Sequence, residues 1–336
     1  MYLSDLRPEL SLFIEYPYND KLYRDAYYSY YSTLNRNINK NCIRISIFDC
    51  ELSSDHFIKD DLIKELKKDN VFLGFFVLRP TDRKRVGRSF ISPKATRNEN
   101  IIIAKTENTS LIKGVSLTNV GFPHSAQDGK VHTCSETSIW SLMEYFGCKY
   151  SYYGQVLPSA ILSVLKRVSY ERQVPSKGLS PQQIGYTLRK FGFGSKFYSK
   201  SKFPFIKNIV HDYVESGIPV LAIVRTPINH DNHAIIIIGH KKLNLNETKW
   251  KNEDVIKIPG ITNSDNNNEH GIKFVDSFDV IKREYVIIDD NLPPYQLSDL
   301  DSPCKYSFDM KDAELYGCIV PLYPKIYLDI VNAKQL

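Results

Sequence analysis

The sequence predicts an α+β fold: residues 116–336 form a domain in which a helix carrying a cysteine packs on an antiparallel sheet, and residues 1–115 form a separate α/β domain before it. Three observations predict this. Helical periodicity begins after Thr133, with Ile139, Trp140, Met143 and Phe146 on one face. Short apolar runs bounded by turn residues, Pro219 to Arg225, His233 to Gly239 and Glu284 to Ile288, read as buried strands. The first third mixes helix-patterned and strand-patterned stretches of its own.

Taken in order, Asp20 to Leu34 is tyrosine-rich with helical spacing at Leu22, Ala26, Tyr27 and Tyr30. Cys42 to Phe48 alternates, with Ile43, Ile45 and Ile47 on one face and Arg44 and Ser46 on the other. Asp60 to Asp69 is a short charged helix, and Val71 to Leu78 a buried strand bounded by Pro80. Arg83-Lys84-Arg85 invites a phosphate or nucleic-acid reading, but no aromatic residues are interleaved with it, and a solvated hairpin turn explains it. Ile101 to Ala104 and Leu111 to Val120 are further strands. After the cysteine helix come helices over Pro158 to Val168, Ser180 to Phe191 and Phe205 to Ser216. Ser180-Pro181-Gln182-Gln183 marks the second of these with a serine cap and proline at N1, and Gly192 ends it. The stretch at about 243–271 is polar and asparagine-rich and reads as a flexible insertion. Strands at Ile272 to Phe278 and Gly317 to Leu328, the latter interrupted by Pro321 and Pro324, complete the chain.

Composition narrows the classes. The 336 residues carry 44 basic and 38 acidic side chains, a net charge of +6 that does not by itself argue for nucleic acid. Six cysteines stand at 42, 50, 134, 148, 304 and 318, with no Cys-x-x-Cys and no histidines at finger spacing, so a zinc site is not indicated. The N-terminus lacks a signal-peptide pattern and no apolar run could span a bilayer. The expected location is the cytoplasm, with no membrane partner.

The candidate chemistry centres on Cys134. Thr133 and Glu136 have capping-box spacing, which makes Thr133 the N-cap and Cys134 the first helical residue. Unpaired amides and the positive end of the helix dipole then surround the sulfur, an environment that favours thiolate. A thiolate nucleophile needs a base, and the base an orienting acceptor. His233, at the mouth of a buried strand, is the candidate base; a core histidine satisfied by backbone is the plain alternative. His124 and His132 lie nearer in sequence, but a loop residue two positions before a helix start points away from its first turn more often than toward it. His56, His211 and His270 are expected on polar loops or exposed helix faces. Asp290, at the end of the next strand, is the candidate orienter and Asp289 its rival, though Asp-Asp-Asn before Pro293-Pro294 also suits a plain turn. The Cys134 amide and the Gln127 side chain are candidate oxyanion donors.

The order Gln127-Asp128…His132-Thr133-Cys134, Gly217 to Ala222, His233 to Gly239, Tyr285 to Asn291 resembles the papain-like cysteine peptidases. It is most similar to bacterial members that cleave double-glycine leader peptides. Gly178-Leu179-Ser180-Pro181 also looks like the start of the helix preceding the paired strands in such relatives. The resemblance covers about Gly121 to Tyr323 and implies a Cys134–His233–Asp290 triad with Gln127 in the oxyanion hole. It departs at Ser135-Glu136, in the gap between Gln127 and Cys134, and in the insertion after His240. The implied reaction is hydrolysis of a peptide or isopeptide bond through an acyl-enzyme, without metal or organic cofactor, on a protein or peptide substrate. An acyltransferase on the same residues and a non-catalytic binding protein are the rivals.

Overall fold

The computed structural model describes residues 2–35, 37–81, 86–98, 100–130, 133–167, 178–227, 231–242, 283–326 and 328–334. The expected basic turn at Arg83-Lys84-Arg85, the insertion at 243–271, the strand at 272–278, and His132 and His270 lie outside them.

The fold is mixed helix and antiparallel sheet. The first sheet contains β1 (Ser11–Tyr18), β2 (Cys42–Phe48), β3 (Phe72–Leu78), β4 (Val86–Ile91), β6 (Thr106–Ile112) and β7 (Val115–Ser125), in the order β1-β2-β3-β4-β7-β6. Helices α1 (Lys21–Ser29) and α2 (Asp60–Leu66) accompany it. Asp20 caps α1 by accepting the Tyr23 amide, and its other oxygen takes the half-buried Arg88 guanidinium at 2.8 Å. The strand expected over Leu111 to Val120 is instead a hairpin. Lys113 and Gly114 both have positive φ, 46° and 83°, and turn the chain between β6 and β7. Consecutive positive φ values match the twist of a two-residue hairpin loop.

The second sheet has the order β12-β11-β10-β9-β13-β8, built from β8 (Gly194–Ser199), β9 (Val220–Arg225), β10 (Asn232–Lys241), β11 (Tyr285–Ile288), β12 (Gln296–Ser298) and β13 (Glu314–Leu322). Its central strands β9, β10 and β11 are buried on both faces, which is why they read as continuous apolar runs. Ala234, Ile236 and Ile238 point to one core with α3 (Cys134–Lys149), α4 (Pro158–Leu165) and α5 (Pro181–Lys190). Ile235 and Ile237 point to the other with α6 (Ile206–Glu215). The cap of α5 forms the complete expected box, Ser180 with Gln183. β13 is one strand that runs through Pro321. Its pairing with β9 ends at Ile319, so the missing amide of Pro321 costs no ladder bond on that side.

The two units do not divide at residue 115. β5 (Ile101–Ile103) pairs with Gly239 to Lys241 of β10 and so belongs to the second sheet, whereas β7 stays in the first. The core around α3 also takes in Leu22 of α1 and Phe122 of β7. The chain crosses between the sheets because Ile101 to Ile103 fill the place beside β10 where β9 no longer reaches, β9 pairing only as far as Ile237.

That crossing depends on Gly239. A Cβ there would stand 1.9 Å from the Ile102 carbonyl oxygen. Backbone cannot yield cheaply, so Gly239→Ala is expected to destabilise the fold by about 3 kcal/mol. Urea denaturation, with an unchanged slope and a lowered midpoint, checks this.

Candidate active site

Cys134 is the first residue of α3 and Thr133 its N-cap, with extended backbone at φ −98° and ψ 180°. The cap differs from the expected box. The Thr133 hydroxyl donates to the Glu136 carboxylate and makes no bond to the helix amides. Glu136 is buried, and a buried carboxylate draws the nearest donor. Ile139, Trp140, Met143 and Phe146 lie in the core as their spacing predicts, and they anchor the helix beneath the cysteine.

His233 is the second residue of β10 and is buried. Its Nε2 lies 2.9 Å from Asp289 Oδ1 and 3.8 Å from Asp290 Oδ1. The Cys134 sulfur lies close enough to the same ring for its charge to act on it. With Nε2 engaged by Asp289, Nδ1 is the ring nitrogen left for a second partner. Burial pushes the imidazole below its ordinary pKa of 6.5, but the charge and hydrogen bond of Asp289, with the nearby Cys134 sulfur, outweigh that and hold it well above.

The carboxylate that pairs with His233 is therefore Asp289, not Asp290. Strand alternation supplies the reason. Tyr285 and Ile287 face the core that also receives Ile235 and Ile237. Two residues on from Ile287 is Asp289, and two residues before Ile235 is His233, so the period of two puts both on one face. Asp290 follows Ile288 on the opposite parity.

Asp289 is held on every side. Oδ1 also accepts the Asn291 backbone amide at 2.9 Å, and Oδ2 accepts the Tyr306 hydroxyl at 3.1 Å. Burial pushes its carboxyl up, yet the charge and hydrogen bond of His233, with the Asn291 and Tyr306 bonds, leave it below the ordinary 3.8. Burial and the Asp289 charge keep the Tyr306 hydroxyl protonated well above its ordinary value, so it remains a donor. The expected Asp-Asp-Asn turn is also present, since the Asn291 amide bonds the Asp289 side chain.

The Gln127 side-chain amide is taken up by the turn after β11. Its Nε2 donates to Asn291 Oδ1 at 2.6 Å and lies 3.5 Å from Asp290 Oδ1, and its backbone amide donates to the Asp290 carbonyl at 3.1 Å. A carboxamide and a carboxylate in reach outcompete an empty oxyanion position. Of the two expected oxyanion donors, the Cys134 amide keeps its place at N1, where the helix itself offers it no acceptor.

The remaining histidines sort by partner. His124 is buried on β7 and bonds the Asp289 carbonyl through Nε2 at 3.1 Å. His211, expected on an exposed face, is buried instead, with Nδ1 2.8 Å from the Tyr285 hydroxyl. The core on that side of the sheet covers it. His233, Asp289 and Asp290 have ligand atoms within 4.8 Å of one another, a spacing that suits a divalent cation. However, Asp289 is already engaged by His233, Asn291 and Tyr306, and the arrangement reads as a hydrogen-bonded set.

Compared with models of known protein families and with curated proteins, the chain matches none.

Sequence reasoning missed Tyr306 and gave Asn291 no role of its own. Tyr306 stands 17 positions beyond Asp289, among 22 tyrosines, with no spacing to mark it. Asn291 was marked only as a member of the turn.

The Asp289–His233 pair stabilises the fold between two limits. Its contribution is present above the ordinary carboxylate value of about 3.9 and is lost as pH falls through the depressed Asp289 value. It is likewise lost as pH rises through the raised His233 value. In an NMR titration His233 should stay protonated well above 6.5. Asp289→Asn should return it toward that value, and Asp290→Asn should change it less. The reverse ranking would restore Asp290 as the partner.

Proposed function

We propose that the protein is a cysteine-dependent hydrolase of papain-like type that cleaves a peptide or isopeptide bond through Cys134, His233 and Asp289. The observation that carries this reading is the buried His233 ring paired with Asp289, with the Cys134 sulfur at a helix start near enough to act on the same ring. The helix on an antiparallel sheet, with cysteine, histidine and aspartate in that chain order, supports the papain-like comparison.

Cys134 Sγ attacks the carbonyl carbon, and its electron pair forms the C–S bond while the carbonyl π pair moves to oxygen. The Cys134 amide, and the helix N-terminus behind it, stabilise that oxyanion. The oxyanion collapses, the C–N bond breaks, and the His233 imidazolium gives its proton to the leaving amine. His233 then removes a proton from water, which attacks the thioester. The C–S bond breaks, and the carboxylic acid leaves with Cys134 restored. Asp289 holds the ring's orientation and its positive charge through each step.

Incubation with a mixed peptide library, read by mass spectrometry, tests this. Cleavage should fall about 10⁴-fold or more in Cys134→Ser, and less in Asp289→Asn. Excess chelator should leave it intact, whereas loss on chelation would favour a cation at His233, Asp289 and Asp290. An added amine that captures the acyl group in place of water would identify an acyltransferase on the same residues. Iodoacetamide should label wild type and Cys148→Ser but not Cys134→Ser. Labelling that ignores Cys134 would remove the nucleophile from this reading.

A further inference from the structure

His124 takes no part in the chemistry above, yet it is fully enclosed and bonded at both ring nitrogens. It lies on β7, opposite Ser89 of β4. Nδ1 is 3.0 Å from the Tyr2 hydroxyl and 3.0 Å from the Ser89 hydroxyl, which are themselves 2.8 Å apart. Nε2 is 3.1 Å from the Asp289 carbonyl oxygen. A carbonyl only accepts, so Nε2 carries the proton and Nδ1 accepts from a hydroxyl. Burial pushes the ring's pKa down to about 4, which keeps it neutral and this donor–acceptor direction fixed at ordinary pH.

The target of that bond is specific. Asp289 follows the last residue of β11, so strand pairing does not hold its carbonyl. Among the described residues it also meets the Leu292 amide of its own turn, at 3.3 Å. Residues flanking the first sheet's strands grip the loop before α3 at two further points. Arg79 donates to the Gln127 carbonyl at 3.2 Å, and the Tyr31 hydroxyl donates to Asp128 Oδ2 at 2.9 Å.

We infer that His124 is a positioning residue: it ties the backbone of Asp289 to the first sheet and so aims the Asp289 carboxylate at His233. This rests on the reading of Cys134, His233 and Asp289 as the working set. On it, the first sheet is part of the active-site scaffold and not a separable accessory.

The test compares His124→Phe with His124→Gln. Glutamine keeps one donor and one acceptor near the two ring positions, and phenylalanine keeps only the volume. In His124→Phe, NMR should show His233 titrating nearer its ordinary value, and iodoacetamide should alkylate Cys134 about fivefold more slowly at neutral pH, the factor for one lost hydrogen bond. His124→Gln should retain both wild-type readouts. A filler role would lower thermal stability in both variants and leave the His233 titration in place, and that result would overturn the inference. If His124→Phe does not fold, the Tyr2→Phe, Ser89→Ala double variant removes the hydroxyls behind Nδ1. It should move His233 in the same direction by less, and an unmoved titration there would equally overturn the inference. Neither readout needs a substrate. A wild-type protein that cuts no peptide, yet shows these shifts, would lose the hydrolase reading and keep the positioning role.

Discussion

The contact between His233 and Asp289 constrains everything around it. Both groups are buried, and removing either charge from water alone costs several kcal/mol. Their attraction offsets that cost only when geometry is good and the remaining lone pairs find donors. Here they do: at 2.9 Å the pair is a well-formed charge-assisted hydrogen bond, and Asn291 and Tyr306 occupy further positions on the carboxylate. The turn after β11 is thus shaped by the needs of one buried anion. Its backbone bends so that Asn291 can return an amide to the side chain two residues before it.

The rest of the architecture delivers the two partners to that contact. β10 is enclosed by β9 and β5 along one edge and β11 along the other, so His233 stands at the start of a strand with little freedom to shift. Cys134 arrives from a different direction. Eight residues, 126 to 133, connect Ser125 at the end of β7 to the first residue of α3. So short a tether limits where the helix can begin once the first sheet is placed. Phe122 of β7 packs in the same core as Ile139 and Trp140, which fixes the helix along its length as well as at its start.

Much of this is legible in the sequence, for identifiable reasons. The buried strands of the second sheet read clearly because apolar runs such as Ala234 to Ile238 have no other stable home than a strand covered on both faces. The cap of α5 follows from local hydrogen-bond chemistry that a few neighbouring residues encode, whereas at α3 only the N-cap position, not the bond its hydroxyl makes, is legible. What the sequence hid depends on distant contacts. β1 and β8 lack a clear apolar alternation, and their partners decide them. The assignment of β5 to the second sheet follows from an opening beside Gly239 that only the assembled sheet creates. The choice of Asp290 over Asp289 is a one-residue error, and in a strand such an error reverses the face. Gln127 was read by its distance along the chain from Cys134. The side chains that capture it, Asn291 and Asp290, lie more than 160 residues away.

Asp289 also explains why two buried histidines have opposite characters. Burial pushes both His124 and His233 toward the neutral form. Asp289 meets each of them, but with different groups. To His124 it offers a carbonyl, whose partial charge raises the ring's proton affinity too little to overcome burial, and the pKa stays down at about 4. To His233 it offers a full carboxylate, with the Cys134 sulfur nearby, and the balance reverses. One ring is thereby suited to hold a fixed donor–acceptor direction, and the other to carry and release a proton. The division of roles proposed for the two histidines therefore follows from which end of a single residue each one touches.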